Sequence, residues 1–300
     1  MLTIFFVIDG QHRAAQAALL AATLYHHNAD QFRYIGYVPH DQNAIITPSL
    51  LHLLDACGVE LRTLRPHATV WTKKPYPHGN KILASMDRRN GTHAMFIDTD
   101  MICTAPLSLS HLKAQFAVGV VPEGKPTWGK DLSRWLRVYN HFSLNLPDDR
   151  ITLTRGKRLP FVPYFNAGMI LFPEGPLARN ESFGDLWLDT SLIIDHEVPV
   201  AEKRPWLDQI SLPVTLKRFG LDYLIAEEAL NFSISQRTPT GNETPMLLHY
   251  HRFSFLGLWP TFLADAIRLT QAIAGDACFD KLAESFGPYW FEQPSQEHSA

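Results

Sequence analysis

The stretch that most constrains this chain is Gly79 to Pro106, GNKILASMDRRNGTHAMFIDTDMICTAP, which reads as a short helix, a turn and a buried strand ending in carboxylates. After the breaker pair Asn90-Gly91, Ala94 to Ile97 is an apolar run. Strand residues two apart share a face, so Asp98 and Asp100 are expected to project together while Thr99 points the other way. Met101 to Cys103 resume the apolar pattern, so the acids interrupt a strand that could have stayed greasy. Unpaired carboxylates there would be costly, and a divalent cation would offset the cost. The plainer reading is that both acids merely end a strand, because Asp is common in turns.

In the helix before them, Asn80 is expected to act as the cap. Lys81 then falls in the first turn, where the macrodipole disfavours a cation. That placement points to a bound anion: a helix N-terminus plus Lys81, beside a carboxylate-held metal, would cradle a diphosphate. The alternative is an ordinary solvated lysine.

With 300 residues and 46% apolar content, the chain can bury a substantial core in one main domain. A formal charge of −3 with no run of like charge leaves no footprint for nucleic acid. Cys57, Cys103 and Cys278 lie far apart, which argues against a disulfide framework and a zinc site and fits a reducing compartment. The apolar start LTIFFVI lacks a basic flank and is cut off by Asp9, so it reads as a buried strand and not as a signal or transmembrane segment. The expectation is a soluble, cytoplasmic protein.

Along the chain, Leu2 to Ile8, the alanine-rich helix HRAAQAALLAATLYHH and the strand FRYIGYV make a βαβ opening. Ligands in such sheets collect at the carboxyl ends of strands, which places Asp9, Gln11 and His12 where a nucleotide could be gripped. Ser49 to Cys57 reads as a helix, Val59 to Leu64 as a strand, and Pro66, Pro75 and Pro77 as a surface loop. Phe116 to Val121 is a further expected strand. Pro122 to Pro163 is a long insertion with an amphipathic helix near Leu132 to Phe142, of the kind that builds lids or substrate walls. Within it GKPTWGK has the spacing of a phosphate loop, but Asp131 stands where Ser or Thr is needed and Pro126 removes a donor. YFNAGMILFP, Tyr164 to Pro173, opens a strand on the small residues Ala167 and Gly168. Helices follow from Phe183 to Ile194 and from Trp206 to about Phe219, where Asp208 and Gln209 could be capping residues. Leu221 to Ile225 and Met246 to Tyr250 are expected strands, with Asn231 in a polar turn between them. The second strand delivers His249 and, two residues on, His251. Two helices, Phe262 to Ala274 and Ala277 to Phe286, end the chain, and Tyr289, Trp290 and Phe291 are expected to pack back on the domain.

FIDTDM, YFNAGMILF, WLDQ, NFS and LLHYH occur in the order and at roughly the spacing of the family 8 glycosyltransferases, the GT-A group that contains glycogenin and lipooligosaccharide galactosyltransferases. The resemblance covers about Leu2 to Trp259. It implies an α/β GT-A fold: a Rossmann-like mixed central sheet flanked by helices, with a catalytic domain over 1–258, the 122–163 insertion and a packed C-terminal helical extension over 259–300. It further implies a nucleotide-sugar donor, most simply a UDP-sugar, and manganese, with magnesium as second choice, held by Asp98, Asp100 and His249. Asp9, Gln11 and His12 match the nucleotide-gripping positions, and Lys81 matches a basic residue upstream of the acids. The donor set is completed by Thr99 and by Asn166, Ala167 and Gly168, which line the sugar. Asp208 and Gln209 match the pair beside the anomeric carbon and, with Lys81, are the implied catalytic residues. Transfer with retention to a glycan, a lipid-linked glycan or another hydroxyl acceptor is likewise implied. One departure stands out: relatives follow the histidine with a glycine and a Lys-Pro-Trp that clamps the diphosphate, whereas here His249 is followed by YHRFSFLGLWP. Arg252 and His251 are the candidates to replace that charge, although His251 also reads as a half-buried sheet residue. Two other functions stay open on sequence alone: a nucleotide-sugar phosphohydrolase and a sugar-nucleotide binding protein without catalysis.

Overall fold

The computed structural model describes residues 1–64, 70–72, 76–113 and 117–291. Pro66 and Pro75 of the expected loop, Phe116 at the expected strand start and the tail after Phe291 lie outside them. In chain order the elements are β1 (Leu2–Val7), α1 (Gln11–Asn28), β2 (Arg33–Pro39), α2 (Pro48–Ala56), β3 (Val59–Leu64), α3 (Asn80–Ser85), β4 (His93–Ile97), β5 (Met101–Cys103), α4 (Ser110–Lys113), β6 (Val118–Pro122) and α5 (Ser133–His141). They continue with β7 (Ile151–Thr152), β8 (Pro160–Phe161), β9 (Phe165–Pro173), α6 (Phe183–Glu197), α7 (Leu207–Phe219), β10 (Tyr223–Ile225), β11 (Phe232–Ser233), β12 (Leu247–His249), α8 (Phe253–Gly257), α9 (Pro260–Ala274) and α10 (Asp276–Phe291).

Local chemistry accounts for many of these boundaries. Thr47 caps α2, accepting from Leu50 N at 3.2 Å, with Pro48 in the first turn. Ser182 and Asp185 form a capping box at the start of α6. Gly220, at φ 62°, ends α7 in the left-handed region. Two expectations are corrected. Gly79, not Asn80, is the N-cap of α3, and it makes no side-chain cap bond. Asp98 to Asp100 form a turn between β4 and β5, so the two-residue strand period does not govern the acids.

The mixed α/β chain, with a central mixed sheet flanked by helices, divides into two compact units. The first comprises residues 1–3, 64–96 and 109–228. Its strands run in the order β10-β6-β9-β4, with β10 parallel and β9 antiparallel to β6. Val120 opposes Ile170 while Val121 opposes Asn166, so Ala167, Gly168 and Met169 stand out of the ladder as a bulge. α6 packs on α7 and α3, and a Cβ on Gly184 would collide with the Ser85 backbone, so only glycine permits the α3–α6 approach. The insertion carries α5 as expected, but it is more than a wall. Trp128, Trp135, Tyr139 and Tyr164 are buried together, with Trp135 ring centroids 5.1 Å from Trp128 and 5.2 Å from Tyr164.

The second unit comprises residues 4–63, 97–108 and 229–300. It holds the strand order β1-β2-β3 and a three-stranded sheet, β11-β12-β5. β11 runs parallel to β12, and β12 antiparallel to β5 with His249 opposite Met101. α9 and α10 pack on α1 and α2. Of the C-terminal aromatics, Trp290 is buried and donates to Ala15 O at 3.1 Å, whereas Phe291 is exposed. No helix among the described residues is long and apolar enough to cross a membrane.

Candidate functional site

The chemistry-bearing residues form two constellations. In the second unit, the β4–β5 turn and the end of β12 bring Asp100 and His249 together, with Nε2 of His249 3.2 Å from Asp100 Oδ1. Nδ1 of His249 is 2.8 Å from Oδ1 of buried Asn231, so the residue expected in a polar turn lies directly behind the histidine. Asp100, His249 and His251 each offer a ligating atom, all within 4.8 Å of one another. Asp98 is half-buried and is not a member of that cluster. The sequence alone leaves His251 ambiguous. β12 ends at His249, and His251 lies past it at φ 59°, its Nε2 2.9 Å from Ser233 Oγ. Burial alone would push the Asp100 carboxyl up, but His249 and then His251 beside it hold it well below the usual carboxylate range.

Thr99 is buried and donates to Gln16 Oε1 at 3.0 Å, while the Gln16 amide lies 3.3 Å from His12 Nε2. The His12 ring meets Phe253 and Tyr289 edge to face, and burial and then Arg13 lower its pKa. Asp9 pairs with Arg13 at 2.8 Å, Gln11 is exposed at the start of α1, and Arg252 is exposed at the start of α8.

In the first unit the second constellation gathers on α3, the β9 bulge and the start of α7. Lys81 is not the ordinary solvated lysine of the alternative reading. It is buried, its Nζ 3.1 Å from Asp208 Oδ2 and 3.2 Å from the carbonyl of Ala167. The bulge turns that carbonyl toward the amine, and Gly168 N donates to Asn166 Oδ1 at 2.9 Å. Asn166 Nδ2 donates to the buried carboxylate of Glu123 at 3.1 Å. Tyr76 OH accepts from Asp208 N at 3.0 Å. Tyr164 OH donates to Gln209 Oε1 at 2.9 Å and meets Thr127 Oγ1 at 2.6 Å. Burial pushes the Tyr164 phenol up, so it keeps the proton it donates. Asp208 and Gln209 are not the caps the sequence allows: Trp206 is the N-cap of α7, and no side-chain cap bond is made there.

Glu123, Thr127 and Tyr76 escape sequence reasoning, because their partners lie tens of residues away. Tyr164 and the NFS segment were visible as motif members without a role.

A family model for the Rhodobacterales glycosyltransferase domain matches residues 4–220. No curated protein sequence matches the chain at a significant level. Among solved structures, galactosyltransferase LgtC in complex with donor and acceptor sugar analogues superposes with a TM-score of 0.55 at 16% identity, over 92% of this chain and 95% of its own. The apo WbbM bifunctional glycosyltransferase gives 0.58 at 14% identity, over 95% of this chain and 51% of its own. Apo mouse xyloside xylosyltransferase 1 gives 0.50 at 10% identity, over 83% and 97%. These likenesses show the GT-A fold that the ordered motifs imply. With the match over 4–220, the chain belongs to the Rhodobacterales glycosyltransferase domain family and is a glycosyltransferase.

Proposed function

We propose that the protein moves a sugar from a nucleoside diphosphate sugar, most simply a UDP-sugar, to a hydroxyl of a glycan, a lipid-linked glycan or a small acceptor, with retention and with manganese as cofactor. The observation that carries this reading is the Asp100–His249 pair with Asn231 behind it. Asn231 Oδ1 can only accept, so Nδ1 of His249 carries a proton, and Nε2 is the ring nitrogen that faces the carboxylate. A divalent ion could take the place of a proton between this nitrogen and the carboxylate, held by the same two side chains. The residues thus fit a divalent ion: a carboxylate oxygen and an imidazole nitrogen leave positions for phosphate oxygens, and the nitrogen favours manganese over magnesium. When bound, the ion is a Lewis acid that takes up charge on the departing diphosphate.

The chain's own residues supply the rest of this reading. Asp9, Gln11 and His12 grip the nucleoside, Asp98 is the further carboxylate that would join Asp100 and His249 on the ion, and Arg252 is the candidate cation for the diphosphate. Asn166, Ala167 and Gly168 line the sugar, with Lys81 holding Asp208 beside it. Gln209, steadied by Tyr164, takes the sugar face opposite the leaving group, so little general-base work is asked of the protein. We assign residues 1–258 to catalysis and 259–300 to the supporting extension. The three free thiols, Cys57, Cys103 and Cys278, support a cytoplasmic setting.

The test is a thermal-shift panel of nucleoside diphosphates and their sugars with manganese, magnesium or chelator. At about a hundred times its dissociation constant a ligand adds roughly 2.7 kcal/mol, which moves the midpoint of a chain this size by about 4 °C. The donor reading fails if no nucleoside diphosphate shifts the transition with any metal. Proton NMR of the product anomer tests retention.

A further inference from the structure

Resting on the metal reading above, we infer that His251 is a protein ligand of the divalent cation, and that Asn231 and Ser233 of the NFS segment orient the two histidines. Asp100, His249 and His251 already present three ligating atoms within 4.8 Å of one another. Each ring is also engaged by the same short segment: Asn231 Oδ1 lies 2.8 Å from His249 Nδ1, and Ser233 Oγ lies 2.9 Å from His251 Nε2. Imidazoles that bind metals are held in this way, one ring nitrogen hydrogen-bonded to an oxygen so that tautomer and orientation are fixed. The parallel pairing of β11 with β12 sets Ser233 opposite His249 and so delivers both supports together.

The backbone at His251 argues the same way. Its φ of 59° lies in the left-handed region, which Gly, Asn, Asp and His enter more readily than other residues, and it takes the chain out of the line of β12. A turn there needs no imidazole, yet the ring sits with its centroid 3.7 Å from that of His249, tilted by 36°. Two close rings beside one carboxylate make a nitrogen-rich donor set. Two nitrogens and one oxygen select transition ions such as Mn2+ or Co2+ over Mg2+, which prefers oxygen and keeps its water. His251 thereby contributes where the Lys-Pro-Trp clamp of the resembling enzymes is absent, by holding the ion that faces the diphosphate.

The experiment measures Mn2+ affinity by electron paramagnetic resonance and the Co2+ visible spectrum, each with and without UDP. It uses the full chain and its His251→Gly, Ser233→Ala and Asp98→Asn variants. His251→Gly is expected to weaken Mn2+ at least tenfold and to change the Co2+ bands, with a melting midpoint equal to the parent's or higher, because glycine is at ease at this φ. Ser233→Ala is expected to weaken Mn2+ about tenfold through loss of ring orientation. If His251→Gly does not fold, His251→Asn, which also tolerates positive φ, is read by the same criteria. Parent-like Mn2+ affinity and Co2+ spectrum in the His251 variant, with metal bound by the parent, overturn the inference and leave the metal reading standing. A parent that takes up neither ion, with or without UDP, overturns both.

Discussion

Lys81→Met is the most informative single change in the first unit, because it keeps the bulk of the side chain and removes only its charge. The Lys81 and Asp208 side chains are 6% and 4% exposed, and the amine also donates to Ala167 O and lies 5.1 Å from the Phe96 ring centroid. Without the amine, the Asp208 carboxylate stays buried with no cation paired to it among the described residues, and breaking a buried pair on one side costs about 3–5 kcal/mol. Unfolding entropy of about 2.1 cal/mol/K per residue makes this roughly 0.6 kcal/mol per degree for the chain, so the midpoint should fall by about 5–8 °C. Asp208→Asn should cost a comparable amount by stranding the lysine. The double variant Lys81→Met/Asp208→Leu should recover much of the loss, because apolar replacement of both partners is often neutral. Differential scanning calorimetry reads the stabilities, and a coupled assay of nucleoside diphosphate release reads turnover. Turnover should stay low in all three, including the double variant whose fold is restored. If Lys81→Met melts within about a degree of the parent, the buried pair does not hold α3 to α7. If the double variant regains turnover with stability, the pair is structural and has no part in the reaction.

Tyr164→Phe removes the donor to Gln209 Oε1 and the partner of Thr127, so turnover should fall roughly 3- to 10-fold, the worth of one net hydrogen bond. The thermal shift given by manganese with UDP should be unchanged, and an equal loss in both would refute the positioning role. Trp135→Ala empties a fully buried site in the insertion and should cost about 3–5 kcal/mol, whereas Leu136→Ala on the exposed side of the same helix should leave the midpoint nearly unchanged. Asp195 tests pH dependence. Burial would raise its pKa, but Thr72 N–H, Arg204 and the Thr72 hydroxyl outweigh that and lower it. A depressed carboxylate contributes stability above its unfolded value, about 3.9, and loses it as pH falls through the lower folded value. The midpoint gap between parent and Asp195→Asn, measured from pH 7 to pH 3, should therefore close below about pH 4.

Where apolar period and breaker residues agree, the sequence is sufficient. β3 falls on Val59–Leu64 and α6 starts at Phe183, where a capping box marks the boundary. The acids show the limit. Apolar runs on both sides of Asp98 and Asp100 look like one interrupted strand, and a turn of three residues leaves no signal against that reading. His251 was hard to place for the same reason, because alternation continues past His249 while the chain has left the strand with a positive φ. The insertion concealed its role differently. Trp128, Trp135 and Tyr139 were visible, but only their burial against Tyr164 shows that they belong to the core. Lys81 looked misplaced because its counter-charge, Asp208, lies far along the chain.

The brevity of β11 sets how this centre can fail. Two residues, Phe232 and Ser233, are paired with Leu248 and His249. Because strand side chains alternate, a slip of one residue would turn the Ser233 side chain away from the histidines and carry Asn231 out of line in the same movement. The supports of the two imidazoles are thus assembled or lost as a unit, so changes at Phe232 or Leu248 should act as an on–off switch on metal occupancy and not as a graded adjustment of affinity.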